Sequence, residues 1–588
     1  MRNLSWMKRA AAAVIAAIAL IVSITVPATV AAIPVAAAPV AAIPVAAAPV
    51  AAIPVAAIPV AAAPVAAAAA ATTRFVPVTP SRLLDTRAGQ KPGAKSTTGV
   101  QVTGRFGVPV GATAVVVNVT ATQTGGAGFV TVFPTGTAVP TASNLNPVTS
   151  GQTVPNLVTV PVGTGGQVSL FTYEATHLIV DVFGYYVPAS HATAGRYRPV
   201  GPTRVYDSRG KNSRVAPHGT ARVPLGPSVP ADAVAAVLNV TVADATGPGY
   251  WTVFAAGTGA PGTSNVNVDV LGQNVANQVI VPITAAGVDI FSWAGGHVIV
   301  DVAGYFTGVS APDDAAGLFV PLAPTRLLDT RQGGEMNPLG AGKRPLPGWT
   351  VELPVIGRAT IPAAAAAVVM NTTLADASRP GYVTVYPAGT IQPDTSTVNA
   401  NYRGQTIANH TISPVTARGV SLFNFGGGHL IGDVTGFFTG ESATATVSPP
   451  TNALPAASFP LQLEVPAIGL TTTVHEGIEL EGLNDGPGHW PGSAMPGVEG
   501  NMAFFGHRTS HTHPFLELDK LVPGNDVLVR SNGYTYRYKV TETLITAPSD
   551  ADTIGKWTTT STVTLVACHP PGSIDHRIVV RAELVEIY

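Results

Sequence analysis

The sequence predicts an all-β protein: three tandem β-sandwich-like repeats followed by a C-terminal β-barrel. Three observations predict it. One opening phrase occurs three times at a spacing of about 120 residues. Short runs rich in Val, Thr and aromatic residues alternate with turns containing Gly, Pro or Asn. From Phe459 the repeated pattern stops, and charged and aromatic residues become denser around a new set of short strands. At 588 residues the chain is too long for one core and has room for about three to five domains. Its 32 basic and 33 acidic side chains nearly cancel, so no clustered cationic excess is available for nucleic acid.

Residues 1–30 fit a secretory signal peptide, with Arg2, Lys8 and Arg9 before an apolar stretch from Ala10 to Val26 and small residues after it. An uncleaved membrane anchor is the open alternative, and in either case the rest of the chain is extracytoplasmic, at the cell surface, anchored or secreted. Residues 31–73 repeat AAIPV or AAAPV, with proline at every fifth position from 34 to 64. That spacing forbids a continuous helix, so an extended stalk is expected. Neutral low-complexity drift would look the same.

The repeats are expected at 74–190, 195–310 and 317–442. They open with RFVPVTPSRLLDTRAG, RYRPVGPTRVYDSRG and LFVPLAPTRLLDTRQG, which carry Asp85, Asp207 and Asp329. Each continues through a β-branched run holding Asn-x-Thr (Asn118, Asn239, Asn371) and an aromatic strand (GFVTVFP, GYWTVFA, GYVTVYP). Each closes on His-x-Ile-x-Asp-Val-x-Gly-aromatic, from His177, His297 and His429. The Arg, Asp and His of these phrases invite a catalytic reading. They recur three times without a nucleophile beside them, so they are read as a structural lock joining the two ends of each repeat. The Asn-x-Thr sites fall inside strands and are read as coincidental glycosylation patterns.

Residues 443–458 are small, polar and Pro-containing, and read as a linker. Residues 459–588 then carry the runs LQLEVPAI, GNMAFFGH, DVLVRSN, YTYRYKVTETLI, TVTLVAC and RIVVRAELVEIY, which suggest a compact barrel.

Cys568 is the one cysteine of the chain. A lone cysteine in an exported protein cannot pair within its chain and is either a small buried apolar residue or a retained reactive thiol. Its surroundings favour the second. If the last two strands form a hairpin across HPPGSIDH, Cys568 ends one and Arg577 begins the other. A neighbouring cation favours a thiolate, and a guanidinium can stabilise the oxyanion formed when a thiolate attacks a carbonyl. His507, after the apolar run MAFFG, also falls at a strand end and supplies a group able to protonate a leaving amine. His511, His513, His569 and His576 lie in the same region, but no carboxylate spacing supports a metal site, and they are read as loop and surface residues.

The repeats resemble a domain found in exported proteins of actinobacteria, on the strength of the LLDTR phrase and the closing HLIVDVFGYY-type strand. That resemblance implies a surface location and a cell-surface ligand rather than an activity. Residues 459–588 resemble a sortase, most closely the actinobacterial class E kind with class F as neighbour. VPAIGL, the Gly-His-Arg-Thr phrase, Pro-Phe-x-x-Leu-Asp-x-Leu-x-Pro-Gly and the strand-Cys-loop-Arg ending occur in the family's order. The resemblance puts the catalytic histidine on His507, the nucleophile on Cys568 and the arginine on Arg577. The family's TLxTC motif keeps Thr564 and Leu565 but has Ala567 where threonine is usual, which implies altered substrate contact.

The function implied is a cysteine transpeptidase, hydrolase-like in its first step. It would cleave an LPxTG- or LAxTG-like C-terminal sorting signal through a thioester and pass the protein to an amine of the cell wall or a peptidoglycan precursor, with no cofactor. Three rivals stand beside it. The chain is mainly a surface adhesin or wall-binding protein with an inactive or auxiliary sortase domain; or the acceptor is a pilin lysine; or it is water.

Overall fold

The computed structural model describes residues 71–588 apart from 211–212 and 341–342. The signal or anchor, and the stalk up to residue 70, lie outside the described residues. Thr73 already belongs to the first strand. Among the described residues no helix is long and apolar enough to cross a membrane.

Every repeat is a pair of antiparallel sheets. In the first, strands Thr73–Asp85, Ala114–Thr122, Val154–Pro161 and His177–Pro188 form one sheet, and Ser96–Gln101, Val130–Pro134 and Gln167–Thr172 the other. The second and third repeats have the same plan with four strands in each sheet. A Thr73–Phe319 pairing joins the first sheets of repeats one and three into a single sheet of eight strands.

The long Val/Thr runs do not alternate between buried and exposed. All nine residues of Ala114–Thr122 and of Ala235–Ala243 are buried. These strands are covered on both faces. One face meets the second sheet of the same repeat. The other meets the neighbouring repeats in a shared core that includes Phe75, Tyr186, Tyr197, Phe306, Phe319 and Phe438. The aromatic rings join the repeats pairwise: Phe75–Phe306, Tyr186–Phe319 and Tyr197–Phe438 have centroids 4.3, 4.5 and 4.5 Å apart. The glycine of the closing motif exists for these rings. A Cβ at Gly184, Gly304 or Gly436 would stand within about 2.4 Å of Phe75, Tyr197 or Phe319.

Polar side chains close the ring of repeats. Asn118 Nδ2 donates to Ser264 O at 2.8 Å, Asn239 to Ser396 O at 2.5 Å and Asn371 to Ser143 O at 2.6 Å. The three Asn-x-Thr asparagines are therefore buried inter-repeat latches. His410 ties all three repeats together: its Nε2 meets Thr159 Oγ1 at 3.0 Å and its Nδ1 meets Gln278 Oε1 at 2.7 Å.

The expected lock is present in altered form. Arg82 pairs with buried Asp181 at 2.9 Å, Arg204 with Asp301 at 2.9 Å and Arg326 with Asp433 at 2.8 Å, each joining the opening phrase to the closing strand. The histidines do not join these pairs. The register sets Asp85 opposite Ile179, so His177 is reached by Thr86, whose hydroxyl lies 3.1 Å from its Nδ1. Ser208–His297 and Thr330–His429 repeat this contact.

The segment 443–458 has no regular structure, yet it is strapped to repeat three. Asn452 exchanges hydrogen bonds with both the Thr350 N–H and its carbonyl. Beyond it, eight strands close a barrel in the order Leu461–Val465, Leu470–Glu476, Gly488–His489, Gly500–Phe505, Ser561–His569, His576–Ile587, Tyr534–Thr546, Asp526–Ser531. The barrel contacts repeat three at Glu586, which receives Arg344 at 2.9 Å and also Arg403, and at Tyr534, whose hydroxyl donates to Pro347 O at 3.0 Å.

Candidate active site

The strands Ser561–His569 and His576–Ile587 form the antiparallel hairpin expected from the sequence. Their register sets Cys568 directly opposite Arg577. Strand Gly500–Phe505 runs parallel to Ser561–His569 on its other side, with Phe505 opposite Val566. The Gly506 N–H continues that ladder to Val566 O at 3.1 Å. His507 thus leaves its strand at the same end at which Cys568 and Arg577 sit. All three candidate residues are half-buried.

Strand alternation sorts the neighbours. Val563, Leu565 and Ala567 point into the barrel core, as do Ile578 and Val580. Val566 and Val579 lie on the outer face, where Ile554, Trp490, Phe505 and Leu544 cover them. Cys568 follows Val566 by two residues and shares that face. Ala567 is 3% exposed and belongs to the core. The departure from the family motif therefore sits on the opposite face from the thiol.

His507 keeps Nε2 buried without a hydrogen-bond partner among the described residues. Burial holds its pKa below the ordinary histidine value, and His511, whose ring lies 4.8 Å away, pushes in the same direction. Arg577 donates through Nη1 to Ile574 O and His576 O, both at 3.0 Å. A guanidinium has five N–H donors, so Nε and Nη2 remain for another acceptor.

Arg508 is a residue that sequence reasoning passed over. Its side chain is 1% exposed and pairs with Asp519 at 2.8 Å. Nη1 donates to His569 Nδ1 at 2.6 Å and approaches Cys568 O at 3.5 Å, while Nε donates to Leu516 O at 3.3 Å. A buried cation thus fastens the backbone that leaves Cys568 to the loop that leaves His507. The signal was its place beside His507 in Gly-His-Arg-Thr, which the histidine alone had absorbed.

The outer face continues away from Cys568 into a cleft of about 240 Å³ between Trp490, Ala503 and Trp557. Gly555 in its lining follows the short helix Ala551–Ile554, which is held from the sheet. Asn501 Nδ2 donates to Ile554 O at 3.2 Å, Arg581 donates to Thr553 O, and Thr564 Oγ1 meets Asn501 Oδ1 at 2.7 Å.

Residues 463–585 match the family model described as Sortase domain. A curated relative, Sortase SrtE1 of Streptomyces coelicolor, is 29% identical over 147 residues, which are 22% of this chain and 42% of that protein. The chain therefore spans less than half the length of the curated relative it matches. Among solved structures, Sortase E1 from Streptomyces coelicolor with a tripeptide in the active site is 26% identical over 22% of this chain and 88% of that one, with a TM-score of 0.21. A Clostridium perfringens Sortase D5 transpeptidase is 30% identical over 22% of this chain and 79% of that one, with a TM-score of 0.20. The C-terminal part of the chain carries a sortase domain.

Proposed function

We propose that the barrel is a cysteine transpeptidase of the class E or F kind, which joins proteins bearing an LPxTG- or LAxTG-like signal to a cell-wall amine. One observation carries this reading: Cys568 and Arg577 are cross-strand partners at the sheet end from which His507 also departs. In the scheme, the Cys568 thiolate attacks the Thr-Gly carbonyl carbon, and the oxygen takes up the electron pair as an oxyanion. Arg577 donates to that oxyanion through its uncommitted N–H groups. The C–N bond breaks, and the imidazolium of His507 gives its proton to the departing glycine amine. A thioester remains on Cys568. An amine acceptor then loses a proton to His507, attacks the thioester, and releases the thiolate.

The test is turnover of quenched fluorescent LPxTG and LAxTG peptides by the full chain with a glycine-amine acceptor, for wild type and Cys568→Ala. Ligated product that vanishes in the variant is expected. Turnover of neither peptide by wild type, or ligation retained in Cys568→Ala, would sink the proposal.

A further inference from the structure

The second sheets of the three repeats carry a feature that the transpeptidase scheme does not use. In each, three aromatic rings form a ladder across neighbouring strands. In repeat one, Phe129 stacks on Tyr173 with centroids 5.1 Å apart at 26°, and Phe171 lies 5.9 Å from Phe129. In repeat two, Tyr250 stacks on Trp293 at 5.5 Å and 19°, with Phe291 at 6.2 Å. In repeat three, Tyr382 stacks on Phe425 at 4.9 Å and 8°, with Phe423 at 6.1 Å. The terminal rings are at equivalent positions and remain open to water: Tyr173 is 40% exposed, Trp293 47% and Phe425 43%.

The backbone keeps these terminal rings in place. Each residue donates its N–H to the carbonyl of its stacking partner, at 2.9, 3.0 and 2.9 Å. Each ring also lies close to the glycine before that partner. A Cβ on Gly128, Gly249 or Gly381 would come within 3.3, 3.1 or 3.2 Å of the ring of Tyr173, Trp293 or Phe425. Cross-strand aromatic pairs stabilise a sheet. Stability alone does not require the outermost ring of each ladder to leave so much of its surface in water, three times over. Exposed rings repeated at equivalent positions offer flat apolar faces for a ligand to pack against.

A basic or imidazole group stands at the outer ring of each ladder. The Lys95 ammonium lies 5.8 Å from the Tyr173 ring and the Arg379 guanidinium 5.7 Å from the Phe425 ring, and neither is paired with a carboxylate among the described residues. The His218 ring meets Trp293 edge-on at 4.5 Å.

We propose that the three ladders are a trivalent binding surface for an acidic polysaccharide. The C–H face of a sugar ring packs on the electron-rich aromatic plane. The flanking cations meet the carboxylate or phosphate groups of the polymer, and three sites on one chain multiply weak single contacts into avidity. The surface holds the chain against a glycan-covered envelope, and it stands or falls independently of the barrel's chemistry.

The test is affinity electrophoresis and calorimetry of the full-length chain with alginate as the acidic probe, cellohexaose as the neutral one, and a peptide of residues 41–60 as a proline-rich competitor. Retention by alginate is expected, with a change in tryptophan emission that Trp293→Leu removes. The triple variant Tyr173→Leu, Trp293→Leu, Phe425→Leu keeps apolar bulk on the sheet, and should bind about 100-fold more weakly while still unfolding in one cooperative transition well above the assay temperature. Lys95→Gln with Arg379→Gln should weaken alginate binding and flatten its salt dependence. No retention of wild type by alginate overturns the proposal, as does a triple variant that binds as wild type does. Equal binding of cellohexaose removes the acidic assignment. Binding of the peptide in place of alginate turns the ladders into a peptide-docking surface.

Discussion

Cys568 and Arg577 face each other across the last hairpin of the barrel, at the end where its ladder opens into the loop 570–575. The pairing fixes their separation through the backbone, so that a long side chain opposite a short one can reach over it. Arg577 is anchored to the loop by Ile574 O and His576 O through one nitrogen, which leaves the rest of the fork to act. Arg577→Ala is expected to lower kcat/KM on a sorting peptide by about 10²–10³-fold, the range for removing an oxyanion donor. Arg577→Lys keeps the charge without the fork and should recover only part of that loss. Steady-state kinetics check this, with unfolding midpoints showing that the barrel is intact.

Arg508 gives a different pattern. Its guanidinium spends its donors on Leu516 O, His569 Nδ1 and the Cys568 carbonyl, and its charge on Asp519. Arg508→Gln is expected to cost about 2 kcal/mol of barrel stability, the scale of a lost charge-assisted hydrogen bond. It should also lower kcat more than it raises KM, because it loosens the two chain segments that hold Cys568 and His507 without touching peptide. Urea unfolding and kinetics on the same samples separate the two effects.

His507 has its pKa lowered by burial and secondarily by His511. In the proposed scheme the leaving amine takes its proton from the imidazolium, so the competent fraction is expected to fall as pH rises through this lowered midpoint. His511→Gln removes the secondary cause and leaves the burial. The His507 midpoint should then move upward, toward the ordinary value, and the alkaline decline of acylation should move with it. NMR titration of the His507 ring gives the midpoint directly; an unchanged midpoint would rule out this coupling.

His410 makes a prediction for the repeats. Full burial lowers its pKa to about 3, from 6.5. The unfolded chain therefore binds a proton that the folded ring of repeats refuses. Stability from this group is complete above about pH 6.5 and is lost as pH falls toward 3, at up to about 1.4 kcal/mol per pH unit. Between pH 6 and 4.5, where most carboxylates are still ionised, wild type should lose stability more steeply than His410→Gln, whatever their difference at pH 7. Unfolding midpoints across that window decide it.

Much of this protein was legible in the chain. The spacing of Asp85, Asp207 and Asp329 marks three like units, and the alternating runs around HPPGSIDH set the hairpin that pairs Cys568 with Arg577, because strand register is a local property of a short loop and its flanks. The strands Leu470–Glu476 and Gly488–His489 and the helix Ala551–Ile554 escaped that reading, since short elements with few apolar residues carry little periodicity. Other features were decided only in three dimensions. The order of residues along the chain is enough to name groups able to do chemistry and to show that a motif recurs. It could not determine that Asn118, Asn239 and Asn371 latch one repeat to the next, that the Val/Thr runs are buried on both faces, or that Arg508 reaches behind Cys568. The physical reason is range. These contacts join residues from about 60 to more than 200 positions apart, and their energy is gained only after the intervening chain has folded into sheets that bring them together.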